Sequence, residues 1–148
     1  MKIKLLPILL SLVVVPALAQ QKDAANTQKM EWFEDAKLGI FIHWGIYAVN
    51  GLSESWSFFN NYTSHDNYLS QLNGFTGKNY NPHEWVKLIE ESGAKYTVIT
   101  SKHHDGIALW DKNAPQGKSI PTDAVAKKDV LTPFIHTVKK YRLKTGLY

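Results

Sequence analysis

Three histidines fall just past two short apolar runs. Leu38-Gly39-Ile40-Phe41-Ile42 leads into His43-Trp44-Gly45-Ile46-Tyr47, and Tyr96-Thr97-Val98-Ile99-Thr100 leads into Ser101-Lys102-His103-His104-Asp105-Gly106. Imidazoles and a carboxylate so placed support three kinds of chemistry. His43, His103, His104 and Asp105 are a ligand set that zinc or iron would accept. The same residues would serve as plain packing or capping groups at strand ends, although three histidines at two exits are more than packing alone explains. Finally, imidazole both donates and accepts, so the three rings would bracket the hydroxyls of a polyhydroxylated ligand. Against a shared metal stands the adjacency of His103 and His104, whose side chains would project to opposite sides of an extended backbone.

Aromatic residues crowd the first exit: Trp44, Tyr47, Trp56, Phe58, Phe59 and Tyr62. Their faces suit the apolar C–H side of a sugar ring, while each singly is equally at home in a core or a loop. Glu54 is the only carboxylate between the first exit and Asp66, and it either binds a hydroxyl or is a solvated loop charge. Asp105-Gly106 reads as a turn, with the carboxylate bonding local amides and the glycine supplying an unusual backbone angle. Lys102 reads as a solvated or paired charge.

The elements that must hold these groups follow from pattern. Both apolar runs are β-branched or aromatic and end in polar residues, as buried strands do. Asn81-Pro82 is a cap followed by proline at the first helical position, and Trp85, Leu88 and Ile89 recur at helical spacing until Gly93. Val130, Leu131, Phe134, Ile135, Val138 and Tyr141 mark a second helix, capped by Asp129 or Thr132, with Pro133 in its first turn. Lys144 to Tyr148 begins a third strand. Met30 to Phe33 opens a short helical turn. Asn50 to Lys78 reads as a long loop with a helical turn near Asp66 to Leu72, and Asp111 to Lys128 as another; loops of such length are usually functional. The order β, loop, α, β, loop, α, β is the crossover pattern of a parallel sheet, whose ligands bind at the carboxyl ends of the strands.

With 44% hydrophobic and 20% charged residues the chain is built to fold, not to stay disordered. Lys2 and Lys4, the apolar stretch Leu5 to Val15 and the small-x-small triplet Ala17-Leu18-Ala19 describe a secretory signal over residues 1–19, too short for a membrane span. Removing it halves the formal charge of +4, and no basic stripe interleaved with aromatics points to nucleic acid. Residues 20–30 read as a polar tether and 31–148 as the domain. There is no cysteine, so a secreted or periplasmic chain of this kind must rely on its apolar core and not on bridges.

Three strings, Trp32-Phe33 through Lys37-Leu38-Gly39-Ile40-Phe41-Ile42-His43-Trp44-Gly45-Ile46-Tyr47, then Lys102-His103-His104-Asp105-Gly106 with Leu109-Trp110-Asp111, and Lys127-Lys128-Asp129-Val130, closely resemble the α-L-fucosidase family of retaining glycoside hydrolases. The resemblance spans residues 31 to 148. It implies a (β/α)8-like barrel, of which three strands and two helices lie here, since such barrels need about 250 residues. It implies hydrolysis of terminal α-L-fucose on glycoconjugates by two carboxylates, without a cofactor or a membrane anchor. Position by position, it implies that His43, His103 and His104 hold fucose hydroxyls and that Trp56 lines the pocket, with Trp44 a further aromatic candidate. Many members carry Glu-Trp-Tyr where this chain has Ser55-Trp56-Ser57. Ser55 therefore stands where the glutamate would be, and Glu54 is the residue placed to substitute. The family's nucleophile and acid/base fall after Tyr148. The rival readings are a non-catalytic fucose-binding protein on the same scaffold and a metal-dependent hydrolase using the histidines.

Overall fold

A computed structural model describes residues 24–110 and 117–148. Two compact units divide after Trp32. The described part of the first is the opening of helix α1 (Ala24–Ala36); the second, Phe33–Tyr148, carries the sheet. The stretch read as a tether is thus helical from Ala24 onward. It lacks an apolar period, but Ala, Gln, Lys, Met and Glu all favour helix, and propensity outweighs the missing stripe. Lys37, at φ +55°, turns the chain out of the helix. The signal read over residues 1–19 lies outside the described residues.

Strands β1 (Gly39–Ile42), β2 (Tyr96–Ile99) and β3 (Lys144–Leu147) form one parallel sheet in the order β1-β2-β3. Gly39 pairs with Tyr96 and Ile42 with Ile99; Tyr96 in turn pairs with Lys144 and Ile99 with Leu147. Gly39 matters for space: a Cβ there would lie 2.1 Å from the Tyr96 ring, which fills the gap and meets Phe33 at 5.3 Å between centroids. The expected parallel α/β arrangement of three strands and two crossover helices is therefore what forms.

Between β1 and β2 the chain is more ordered than its composition suggested. A 3-10 turn at Ile46–Ala48 is followed by α2 (Trp56–Phe59), α3 (His65–Leu69) and a second 3-10 turn at Ser70–Asn73. Only the last two coincide with the helical turn read near Asp66 to Leu72. Helix α4 (Pro82–Glu91) starts as expected, with the Asn81 side chain accepting from the amides of His83 and Glu84, a cap worth about 1 kcal/mol. Its buried stripe is Val86 and Ile89 with half-buried Trp85; Leu88 falls off the edge of that stripe and is exposed. After β2, residues 111–116 of the second long loop lie outside the described residues. Its remainder contains the short helix α5 (Ile120–Asp123). Helix α6 (Leu131–Lys140) is capped by Asp129, not Thr132: its carboxylate accepts from the amides of Leu131 and Thr132 at 2.8 and 2.9 Å and from the Thr132 hydroxyl at 2.7 Å.

Helices α4 and α6 pack on each other. Val86, Ile89, Phe134 and Val138 join Ile99, Ile46, Tyr68, Leu109 and Ile120 in one core, each large apolar side chain contributing about 1.5 to 3 kcal/mol on burial. Tyr80 ties the helix-bearing layer to the second loop by donating to the Val130 carbonyl at 2.6 Å.

Candidate functional site

The carboxyl ends of β1 and β2 are joined by one hydroxyl. Buried Thr100 donates to the Trp44 carbonyl at 2.5 Å and accepts from the Trp44 amide at 2.9 Å, which continues the pairing of the two strands one step beyond the ladder. The residue before Trp44 is His43, and its ring lies 5.0 Å from that of His103. His103 and His104 are also 5.0 Å apart, at an interplanar angle of 33°. The adjacent histidines therefore do not point to opposite sides. They open a turn closed by the Gly106 amide on the His103 carbonyl at 3.0 Å, so the alternation expected of extended backbone does not apply. Among the described residues no three His, Cys, Asp or Glu side chains are grouped so as to hold a metal ion.

Asp105 shapes that turn as its sequence setting suggested. One carboxylate oxygen accepts from the Ile107 amide at 2.9 Å, and Gly106 takes φ +81°. The other oxygen accepts from the Tyr68 hydroxyl of α3 at 2.8 Å. Tyr68 is fully buried and Asp105 nearly so, so this bond pins the histidine turn to the segment that follows β1. Burial and the Asp105 carboxylate together hold the Tyr68 phenol far above its ordinary pKa.

Two consecutive loop residues reach the histidines. Glu54 Oε1 lies 3.8 Å from His43 Nε2, and the buried Ser55 Oγ lies 3.3 Å from His103 Nδ1. Burial, chiefly, and then the His43 and His104 imidazoles push the His103 pKa down, against the opposing pull of Asp105 and Glu54. Beneath the pair sits Tyr47, its ring 6.0 Å from His43 and 6.2 Å from His103. Gly45 makes room for it, since a Cβ there would lie 2.6 Å from the Tyr47 ring. The Tyr47 hydroxyl is buried and has no hydrogen-bond partner among the described residues. Burial pushes its pKa up to about 12, with the nearby Thr100 hydroxyl opposing and Asp105 and Glu54 adding to the shift.

Of the residues singled out in the sequence, His43, His103, His104, Glu54 and Trp56 gather around this corner. Exposed His104 and Trp56 line a cavity of about 350 Å³ with Ser55, Phe58 and Phe59, and Trp56 meets Phe59 edge-on at 5.3 Å. Trp44 does not join them. Its ring packs among Phe75, Tyr80 and Trp85 at 5.0 to 5.1 Å and borders a larger cavity of about 440 Å³ that has neither histidine nor carboxylate in its lining. Two aromatic neighbours were not anticipated. Phe41 stacks on His43 at 5.2 Å, and Tyr148 lies 5.8 Å from His43 and 5.7 Å from His103. Strand period would have indicated the first, two residues before His43, and the matching strand exit the second.

Imidazoles, a carboxylate, hydroxyls and exposed aromatic faces thus come together at the carboxyl end of the parallel sheet of an α/β protein. The comparisons with known proteins agree with that class and narrow it. The Alpha-L-fucosidase family matches residues 16–148, and the chain belongs to this family. Plasma α-L-fucosidase of Rattus norvegicus is 35% identical over 133 residues, covering 79% of this chain and 29% of the relative. Its Homo sapiens counterpart is 37% identical over 133 residues, covering 79% and 28%. Among solved structures, α-L-fucosidase isoenzyme 1 from Paenibacillus thiaminolyticus superposes with a TM-score of 0.75 at 34% identity, over 84% of this chain and 29% of that one. A Bacteroides thetaiotaomicron α-L-fucosidase, solved as a trapped covalent intermediate with 2-fluoro-fucosyl fluoride, gives 0.72 at 26% identity, over 82% and 29%. The chain thus spans less than a third of the length of these relatives.

Proposed function

We propose that the protein to which this chain belongs is an α-L-fucosidase that removes terminal α-L-fucose from oligosaccharides or glycoconjugates, with this chain supplying hydroxyl-binding groups. The observation that carries the reading is the meeting of His43 and His103, from two neighbouring strands, at 5.0 Å in a chain of the α-L-fucosidase family. Rings so close offer several donors and acceptors to a ligand with vicinal hydroxyls. His104 and Trp56, sharing one cavity wall, add a polar and a stacking contact, and Glu54 adds a carboxylate. The sheet is read as the opening third of a (β/α)8-like barrel, whose sites lie at the carboxyl ends of its strands.

The mechanism proposed is double displacement, with nucleophile and acid/base about 5 to 5.5 Å apart; a covalent intermediate trapped in one relative supports it. Both carboxylates are assigned to the part of the protein after Tyr148, and no cofactor is required. The residues over 1–19 are read as a signal for secretion or export to the periplasm. No helix among the described residues is long and apolar enough to cross a membrane.

The test is an aryl α-L-fucoside assay on protein expressed from the complete gene, with His43→Ala, His103→Ala and His104→Ala beside it. Each variant should lose transition-state stabilisation of about 1 to 3 kcal/mol, the cost of an unpaired hydroxyl in a desolvated pocket. Fucose binding without turnover would favour a non-catalytic binder. Wild-type rates in all three variants would sink the assignment.

A further inference from the structure

His103 is the middle member of a row of three imidazoles, 5.0 Å from His43 on one side and 5.0 Å from His104 on the other. A row at that spacing cannot carry three protons without strong mutual repulsion. Its middle ring is nearly buried, whereas His43 and His104 are exposed. Among the described residues, buried Ser55 is hydrogen-bonded to His103, its Oγ 3.3 Å from Nδ1, with donor and acceptor set by the tautomer of the ring.

We propose that Ser55 is the positioning residue of this site: its hydroxyl occupies His103 Nδ1, fixes the plane of the ring, and lets the middle imidazole stay uncharged while Nε2 is left for a ligand hydroxyl. A carboxylate at the same place would only accept, and so would draw a proton onto Nδ1 and favour imidazolium. A hydroxyl donates or accepts with equal ease. It can therefore support either neutral tautomer, and Nε2 can meet a ligand oxygen as donor or as acceptor. Placement supports the same conclusion. Ser55 immediately precedes α2, and the preceding residue, Glu54, reaches His43 instead. The acidic group thus attends the exposed ring, and the neutral hydroxyl attends the buried one. The titratable groups around His103 are His43, Tyr47, Glu54, His104, Asp105 and Tyr148. Asp105 is already committed to Tyr68 and Ile107, which leaves Ser55 as the group that sets the ring's orientation.

The role described rests on the fucoside-site reading, so the experiment has one arm that needs fucoside and one that does not. In protein from the complete gene, Ser55→Ala should raise KM for an aryl α-L-fucoside about fivefold, the equivalent of one neutral hydrogen bond, and Ser55→Thr, which keeps the hydroxyl, should restore it to within about twofold. Ser55→Asp should move the acid limb of the kcat/KM profile to higher pH, because a carboxylate at Nδ1 stabilises the charged ring. In the second arm, histidine-selective ¹⁵N labelling reads the tautomer and protonation of His103, identified by its loss in His103→Gln. The signal should change in Ser55→Ala and become that of imidazolium in Ser55→Asp. Equal damage from alanine and threonine, or a His103 signal indifferent to all three substitutions, would overturn the proposal. A wild-type protein that ignores fucosides while its His103 signal still follows Ser55 would refute the fucoside reading and leave the positioning role standing.

Discussion

Replacing Tyr68 by phenylalanine removes one oxygen and nothing else. The ring keeps its edge-on contact with Phe58 at 5.1 Å, and its apolar burial is unchanged. What disappears is the donor to the Asp105 carboxylate, a 2.8 Å bond between two buried side chains. Hydrogen bonds to charged groups contribute about 1.5 to 3 kcal/mol, because the carboxylate left behind has no water to turn to. The expected loss is therefore about 2 kcal/mol, a fall in Tm of about 4 to 8 °C if the unit that unfolds has 150 to 250 residues and less if it is larger. Function should suffer as well, since the same bond holds the turn that carries His103 and His104. Denaturant titration and fucoside kinetics on Tyr68→Phe, Asp105→Ala and the double variant form the assay. Coupling between the two sites should reach at least 1 kcal/mol. Additive effects, or a Tyr68→Phe protein with unaltered Tm and kinetics, would show that the turn is held by other means and would refute the argument.

Glu54→Gln removes the charge 3.8 Å from His43; fucose affinity and turnover should both fall, and unchanged kinetics would make Glu54 a loop charge. Exhaustive dialysis against EDTA should leave fucosidase activity intact, because two carboxylates suffice for the proposed mechanism; loss restored by zinc or another divalent ion would revive the metal reading. The lowered pKa of folded His103 makes the unfolded chain the better proton binder below its ordinary value of about 6.5, so stability should decline as pH falls through that value and level off once the folded ring is protonated too. Comparing wild type with His103→Gln by thermal melts between pH 5 and 8 tests the sign, which is wrong if the wild type gains stability relative to the variant on acidification.

The sheet was legible because β1 and β2 lie in short apolar runs with β-branched and aromatic residues that end in polar ones, and α4 because Asn81, Pro82 and Gly93 mark its ends with local chemistry. Helix α1 was read only as a short turn at Met30 to Phe33, and its earlier part was missed for the opposite reason: its signal is propensity spread over polar residues, with no stripe to announce it. Helix α2 is four residues long and sits in an aromatic segment where periodicity has no room to appear. At the candidate site, residue types singled out His43, His103 and His104 and the family resemblance Trp56, but directions required tertiary structure. Trp44 follows His43 immediately yet packs with Tyr80 and Trp85, and the turn at His103 to Gly106 undoes strand alternation. The partnership of Ser55 with His103 spans 48 residues and leaves no trace in local spacing.

The gap at Gly39, filled by the Tyr96 ring, works as a measuring mark for the whole site. Sliding β2 by one residue against β1 would set Tyr96 opposite Leu38 or Ile40, whose Cβ atoms leave no such gap for its ring. Such a slip displaces one strand by about 3.3 Å and reverses the side chains it presents. His43 follows β1 directly and His103 comes four residues after β2, so their heights are counted from this interlock at the far end of the strands. A glycine without chemistry of its own thus helps to set the distance between two imidazoles.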